Sequence, residues 1–569
     1  MKTTSLKVYT LFTVIGLVLA SCGGLGKMEK HIEELNAKAE PEPLIVRGDS
    51  VEVTITGKFP EKYFHKKVAV EATPVLTYEG GESAFEMKGY QGEDAAANYE
   101  VIPYETGKSF SYTDKVAYDP AMENAATLEL RLSGTKGSQS ASFDPLPVGT
   151  GVITTPYLMM SDDKPIMASD NFQRILSFTQ EAIVNYNYNS SNVASAELRD
   201  QDIKDAKALI ALAASADSVV ITGTNVEAYA SPEGEISLNE DLAQERAESA
   251  NAIFMSEMKK QKISPENADA FFVNTPKGED WEGFKELMQA SEIEDKNLIL
   301  RVLEMYTDKT KREQEIKNIA KTYKEIEKEI LPSLRRSVVS IKYNIEGYTD
   351  EELMVLSKSN PDILTVEELL YAATLTDNTD EQLAIYMAAE RNFPGDYRAI
   401  NNIGGIYFMQ NKINDAKAKF QKALEVERNP VTLNNLGIIA RLEGDRQQAL
   451  DHFAEAMSAG NEVKYNKGLV QIQNGDYAGA ISNMGGMNTF NLALAKVLNG
   501  DSNGAKTTLE NSGDDSAMAH YLHAIIAARL NNSTDVLSHL GKAIEKDGSL
   551  KEKAMNDLEF RNFKDSFNF

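Results

Sequence analysis

Apolar and polar residues alternate in short runs near the start of the chain, as they do in β-strands with one buried face. Val51, Val53 and Ile55 alternate with polar residues, and similar runs follow. Breaks rich in Gly, Pro and Asp separate these runs. The pattern predicts a β-sandwich over residues 46–150.

Between residues 170 and 345 the apolar period switches between that of strands and that of helices. The predicted elements are a strand at 183–188, a helix at 195–214, a strand at 218–230, a helix at 238–258 and a strand at 337–345. Residues 259–332 carry charged helical patterns and predict a helical insertion. Together these elements predict an α+β domain with helices on one face of a mixed sheet.

From residue 350 to residue 569 the pattern is helical and repeats. Gly404, Ala416, Phe420 and Ala423 are followed 33 residues later by Gly437, Ala449, Phe453 and Ala456. Small residues let paired helices approach closely, and the aromatic ring fills the space between them. The spacing resembles that of tetratricopeptide repeats, which implies an all-α solenoid whose concave face binds an envelope protein.

A strand, a tight turn and the start of a helix follow one another at residues 218–249. The turn is Ser231-Pro232-Glu233-Gly234, in which Pro and Gly favour chain reversal. Asn239 and Arg246 are seven positions apart, about two helical turns, so they share one face. Arg246 is therefore placed to bind a carboxylate beside the turn.

This spacing resembles the peptidoglycan-binding motif of OmpA-like domains. Asn239 and Arg246 match the family's Asn and Arg, while Ser231 stands where the family has an Asp. In the family, the Asp and the Arg hold the zwitterionic end of diaminopimelate in the stem peptide. The resemblance implies a stem-peptide site at Ser231, Asn239 and Arg246, with Glu233 as the candidate for the missing negative charge.

Residues 1–21 resemble the signal peptide of a bacterial lipoprotein. Lys2 and Lys7 precede a short apolar stretch, and residues 19–22 read LASC, similar to a lipobox. The resemblance implies lipid attachment at Cys22; the alternative is a plain secretory leader. Cys22 is the only cysteine in the sequence, which excludes a disulfide framework.

The polar segment 22–45 predicts a lipid-anchored tether. Lipoproteins of the Bacteroidetes type carry an acidic cluster just after the lipidated Cys when they are exported to the surface, and residues 23–26 contain no acid. We therefore expect an outer-membrane protein that faces the periplasm.

The formal net charge is −27. So much negative charge argues against binding to nucleic acid and to anionic membrane surfaces. Membrane contact is expected through the lipid anchor only.

The sequence offers little chemistry for catalysis. His520 and His523 could share a helix face, but no third metal ligand is evident; packed or solvated histidines are the favoured interpretation. No G-x-S-x-G, Walker or H-E-x-x-H motif is present. We predict a protein that is not an enzyme and needs no cofactor or metal.

Two functions remain open. In the first, an outer-membrane lipoprotein contacts peptidoglycan through the OmpA-like domain and recruits envelope proteins through its repeats. In the second, the OmpA-like domain binds no ligand and the protein is a scaffold for an outer-membrane assembly or secretion complex.

Overall fold

The computed structural model of the chain describes residues 24–123 and 125–567. These described residues form two compact units, one within Met1–Ala168 and Gly395–Phe569 and the other Ser169–Pro394. The predicted signal peptide and Cys22 lie outside the described residues.

The N-terminal part of the first unit consists of one short α-helix, short 3-10 helices and two β-sheets. Its elements are α1 (Leu25–Lys30), β1 (Lys38–Glu40), β2 (Leu44–Arg47), β3 (Ser50–Phe59), β4 (Ala69–Tyr78), β5 (Gly81–Ala84), β6 (Lys88–Gly92), β7 (Glu100–Ile102), β8 (Lys108–Ala117), β9 (Thr127–Lys136), β10 (Gln139–Ser142), β11 (Leu146–Thr150) and β12 (Val152–Ile153). One sheet has the order β1-β3-β2-β12, with β8 also on β3. The other has the order β10-β9-β4-β6-β7, with β11 on β9 and β5 on β4. Both sheets contribute to one core that contains Val53 and Leu128, so the alternating residues do form a sheet-rich region.

Residues 24–45 do not form the tether that the sequence predicted. Met28 and Leu35 are buried in the core between the sheets, and β1 pairs with β3. The physical reason is that Leu25, Met28, Ile32 and Leu35 recur at helical spacing on one side of an otherwise polar segment. A few apolar residues are enough to hold a segment in a core when they all lie on one face of it.

The second unit is a mixed α and β structure. Its elements are β13 (Ile175–Asn185), α2 (Gln201–Ser215), β14 (Val219–Ala230), α3 (Ile236–Lys260), α4 (Ala268–Phe271), β15 (Phe272–Glu279), α5 (Trp281–Ala290), α6 (Lys296–Met305), α7 (Lys309–Lys317), α8 (Ala320–Glu329), α9 (Leu331–Leu334), β16 (Arg336–Glu346), α10 (Asp350–Ser359), α11 (Val366–Thr374) and α12 (Thr379–Asn392). The sheet order is β13-β16-β14-β15. α2 and α3 bury Ile210 and Phe254 in a common core with Val184 and Val339 from the sheet.

The segment 259–332 is not wholly helical. β15 pairs in parallel with β14 and supplies the fourth strand of the sheet. Its side chains alternate poorly between buried and exposed, which explains why periodicity did not reveal it. The helices that follow have a small core of their own, including Phe284 and Ile326.

The helices α10–α12 belong to the second unit, although the sequence predicted that the repeats begin at residue 350. The ring of Phe172 stacks on that of Tyr371 at 4.5 Å between centroids. Arg174 also forms a salt bridge with Asp350. These contacts join the helices to the segment that leads into β13.

The C-terminal part of the first unit is an array of antiparallel helix pairs. Its helices are α13 (Tyr397–Met409), α14 (Ile413–Val426), α15 (Pro430–Leu442), α16 (Arg446–Ala456), α17 (Asn461–Gln473), α18 (Tyr477–Met484), α19 (Phe490–Leu498), α20 (Ser502–Ser512), α21 (Ala517–Arg529), α22 (Ser533–Lys546) and α23 (Leu550–Asn556). A Cβ atom on Gly404 would lie 2.6 Å from the ring of Phe420, and one on Gly437 would lie 2.6 Å from the ring of Phe453. The repeated small and aromatic residues therefore mark the helix crossings, and the predicted solenoid of helix pairs is confirmed.

The sheets and the array pack against each other within the first unit. Arg446 forms a salt bridge with Asp49, 2.6 Å between Nη1 and Oδ2. The Nε of Arg47 donates to the carbonyl oxygen of Gly475 at 3.0 Å. These contacts join residues about 400 positions apart in the chain, so the two parts form one compact body.

Candidate functional site

The predicted ligand-binding turn lies between β14 and α3, and the structure gathers Ser231, Asn239 and Arg246 around it. The Ser231 hydroxyl donates to Oε1 of Glu233 at 2.6 Å. Nδ2 of Asn239 donates to the carbonyl oxygen of Glu233 at 3.1 Å. The three residues that the motif singled out are therefore neighbours, and all three are buried.

Arg246 is turned toward the protein interior. Its side chain is 1% exposed, Nε donates to the carbonyl oxygen of Ser190 at 3.0 Å, and Nη1 donates to that of Tyr229 at 2.9 Å. The guanidinium lies over the Tyr186 ring, 5.1 Å from its centroid. Burial lowers the pKa of Arg246 to about 10. In this position the side chain stabilises the loops around the turn and does not face solvent.

Glu233 brings a negative charge to the turn, but the charge is already paired. Nη2 of Arg335 lies 2.8 Å from its Oε1, and Arg335 also packs over the Tyr188 ring at 5.2 Å. A ligand ammonium would therefore have to share Glu233 with Arg335.

A cleft of about 550 Å³ lies beside the turn. It is lined by Tyr188, Glu233, Gly234, Lys317, Tyr323, Glu327 and Arg335. α7 closes one side, where Oε1 of Glu313 accepts a hydrogen bond of 2.7 Å from the Gly234 N–H. Because the walls carry both signs of charge and two aromatic rings, the cleft suits a small zwitterionic group.

A second site, which the sequence reasoning missed, is built from asparagines of four successive repeats. Each side-chain amide binds both main-chain groups of one residue in the segment 159–168, here called the strap. Oδ1 accepts from the N–H and Nδ2 donates to the C=O in each pair, at 2.7 and 2.9 Å for Asn402 with Ala168, 2.8 and 2.8 Å for Asn435 with Ile166, 2.8 and 2.9 Å for Asn466 with Lys164, and 2.9 and 2.9 Å for Asn491 with Met160. The strap therefore lies along α19, α17, α15 and α13, the first helices of four pairs.

Two acidic side chains of the strap are also bound by the array. Asp163 forms a salt bridge with Arg441, and Oδ1 of Asp162 accepts from the Tyr465 hydroxyl at 2.7 Å. Burial, followed by the bond to Asp162, raises the pKa of Tyr465 above its ordinary value. The face of the array that the first helices of these pairs form is thus occupied by the protein's own chain.

One sequence signal could have revealed this site. Each of the four asparagines stands two positions before the small residue of its repeat, namely Gly404, Gly437, Gly468 and Ala493. An amide recurring at the same place on apolar helices, and buried there, needs hydrogen-bond partners from outside its own helix. The periodicity indicates a ligand but does not identify it.

Three histidines meet between α21 and α22. Nδ1 of His520 lies 3.1 Å from Nδ1 of His539, and the His523 ring stacks on that of His539 at 4.6 Å. Sequence spacing found His520 and His523 but not His539. Within residues 24–123 and 125–567, no group of three or more His, Cys, Asp or Glu is arranged to hold a metal ion.

The part of the chain that the structure describes contains no helix both long and apolar enough to cross a membrane.

No family model and no curated protein matches the chain. Among solved structures, a tetratricopeptide repeat protein from Parabacteroides merdae is 15% identical, with 37% of this chain and 91% of that chain covered and a TM-score of 0.29. PilF of Pseudomonas aeruginosa is 17% identical, covers 38% of this chain and 99% of its own, and has a TM-score of 0.30. YrrB, a tetratricopeptide repeat protein with an unusual peptide-binding site, is 19% identical, with 36% and 99% covered and a TM-score of 0.22. TM-scores this low support no conclusion about function.

Proposed function

We propose that this protein is a non-catalytic interaction scaffold whose array of helix pairs binds polypeptide. The observation that carries this function is the set of four asparagine amides that bind the main chain of the strap. Bidentate amide contacts to main-chain groups are a means of holding an extended chain with little dependence on its sequence.

Site-specific photo-crosslinking tests the scaffold function. Met409 and Leu442 end the first helices of neighbouring pairs and are 55% and 41% exposed. A crosslinker at either position should capture the same partner protein in cells. Val101, an exposed residue of β7, is the matched control and should not capture it. Identical products from all three positions, or none from the array, would contradict the scaffold function.

We further propose that the scaffold is a lipoprotein of the outer membrane, anchored through Cys22 and facing the periplasm. The lipobox-like residues 19–22 support this location. A single acyl chain binds membranes only marginally, so stable anchoring needs more than one. Cys22→Ala should abolish incorporation of labelled fatty acid and release the protein from membranes; an unlabelled wild type would refute the anchor.

Contact with the peptidoglycan stem peptide is the second candidate function, and the mixed charge of the cleft favours it. Because Arg246 is buried on carbonyl oxygens, Glu233 and Arg335 are the residues that would meet the diaminopimelate end. Arg335→Ala should weaken retention on purified peptidoglycan. Lys321→Ala, at a position on α8 whose side chain is 82% exposed, should not. If the wild type is not retained, the peptidoglycan function is refuted and the scaffold function remains.

A further inference from the structure

We propose that the groove formed by α13, α15, α17 and α19 is a regulated peptide site, in which the strap is an internal ligand that an extended acidic segment of a partner protein displaces. This inference rests on the scaffold function proposed above and locates the partner's binding site.

The groove recognises the main chain of its occupant. Asn435 and Asn466 bind the N–H and C=O of Ile166 and Lys164, which are groups that every residue except Pro can offer. Pro165 lies between these two residues, at a position where the asparagines require no N–H. Any extended segment with its bonding residues in the same register satisfies the asparagines.

The groove selects its occupant by side chain at the two adjacent acids, Asp162 and Asp163. Arg441 and Asp163 are 1% and 2% exposed, so an occupant without an acid at that position would leave a buried cation uncompensated. Asp162 accepts further hydrogen bonds from Tyr465 and from Nδ2 of Asn491, at 2.7 and 2.8 Å. The partner segment should therefore carry two adjacent acids, corresponding to Asp162 and Asp163, directly before the residue that binds Asn466.

The strap can leave the groove without the loss of a helix or strand. Residues 159–168 contain neither, and their main-chain hydrogen bonds at Met160, Lys164, Ile166 and Ala168 go to side chains of the array. An intramolecular ligand competes at an effective concentration that reaches millimolar. The strap consequently keeps the groove closed until the concentration or affinity of the partner segment is high enough to displace it.

Opening the groove in the full-length protein tests this mechanism. In one variant, residues 159–168 are replaced by a Gly-Ser sequence of equal length. The probe is a fluorescent peptide with the sequence of residues 155–170, and binding is followed by anisotropy. The opened variant should bind it, and the wild type should bind it roughly 100-fold more weakly because the strap competes.

Matched changes establish that the peptide binds in the register of the strap. An Asp163→Asn peptide should lose at least about ten-fold in affinity, whereas a Ser169→Ala peptide should bind normally because Ser169 is exposed and follows the last residue that the asparagines bind. Asn435→Ala in the opened variant should also weaken binding. A folded opened variant that ignores the peptide, or one that binds both peptides equally, overturns the proposal.

Hydrogen exchange on the wild type provides a test that needs no opened variant. Excess peptide should speed exchange of the amides of Lys164, Ile166 and Ala168, since these N–H groups lose their asparagine partners. Unchanged exchange at a peptide concentration that saturates the groove overturns the proposal. A wild-type dimer in light scattering that the peptide dissociates would make a second copy the occupant and refute a separate partner.

The two proposals fail in different ways. Peptide binding by the opened variant, with no partner crosslinked from Met409 or Leu442, would refute the scaffold function while the groove remains a peptide site. A crosslinked partner with no peptide binding would refute the groove alone.

Discussion

Arg441 and Asp163 form a salt bridge between the array and the strap in which both side chains are almost fully buried. Nε of Arg441 also donates to Oδ1 of Asp163 at 2.7 Å. Since Asp163 is 278 positions earlier in the chain, this pair ties the segment after the N-terminal sheets to the middle of the repeats.

Removing Asp163 should strongly destabilise the first unit. Asp163→Ala leaves the Arg441 guanidinium buried without a counter-charge, and we expect a loss of about 3–5 kcal/mol in the free energy of unfolding. Glu455→Ala is the control, because Glu455 pairs with Arg428 at the surface, where both side chains are at least half exposed. The control should lose at most about 1 kcal/mol. Urea denaturation measures both, and equal losses would contradict the importance of the buried pair.

Filling the helix crossing at Gly437 should also destabilise the array. The added methyl of Gly437→Ala would overlap the Phe453 ring, and overpacking of this kind costs about 1–3 kcal/mol. Gly541 lies within α22, where an added methyl would meet no atom within 4 Å, so Gly541→Ala should instead stabilise by up to about 1 kcal/mol. Thermal unfolding should show shifts of opposite sign; shifts of the same sign would contradict the crossing.

Arg246→Ala should act on stability before it acts on any ligand. The carbonyl oxygens of Ser190 and Tyr229 lose their donor in a buried site, which we expect to cost at least about 2 kcal/mol. Arg301→Ala, at an exposed position of α6, should change the free energy of unfolding by less than about 0.5 kcal/mol. A stable Arg246→Ala variant that has lost only peptidoglycan retention would restore Arg246 as a ligand residue.

The histidine cluster should make the last repeat pair sensitive to acid. Burial, followed by repulsion from the neighbouring imidazoles, lowers the pKa of His523 to about 4 and also lowers that of His539. In the unfolded chain these histidines have pKa values near 6.5. The unfolded chain therefore binds more protons than the folded one between about pH 4 and pH 6.5. Stability should be fully present above about pH 6.5 and fall as the pH drops toward 4.

His523→Gln tests this dependence, because it removes one of the depressed groups. Unfolding of the variant should depend less on pH between about 6.5 and 4. His31→Gln, at an exposed position beside Glu34, should leave the dependence unchanged. Parallel pH profiles of His523→Gln and the wild type would rule out the cluster as the cause.

The helix pairs could be predicted from the sequence because their packing is local. Gly437 and Phe453 stand 16 positions apart within one repeat, and the same spacing recurs at Gly404 and Phe420. A helical period and a tight helix crossing both leave a mark on neighbouring residues. The alternating strands of the sheets were predictable for the same reason.

The turn from Ser231 to Gly234 was also recognisable, but the orientation of Arg246 was not. Helical spacing places Arg246 on the face that looks toward the turn. Whether it meets a ligand or the carbonyl oxygen of Ser190, 56 positions away, depends on how the loop before α2 folds over it. No local sequence pattern indicates which of these two contacts Arg246 makes.

Only the tertiary structure identified the occupant of the groove. Asn466 and Lys164 are 302 positions apart, and the bonds between them use main-chain groups that are the same in almost every residue. The asparagines therefore have a periodic signature while the segment they bind has none. The repeats are encoded in the order of side chains, whereas the choice of an extended segment to fill them is made by chain connectivity and by the buried pairing of Arg441 with Asp163.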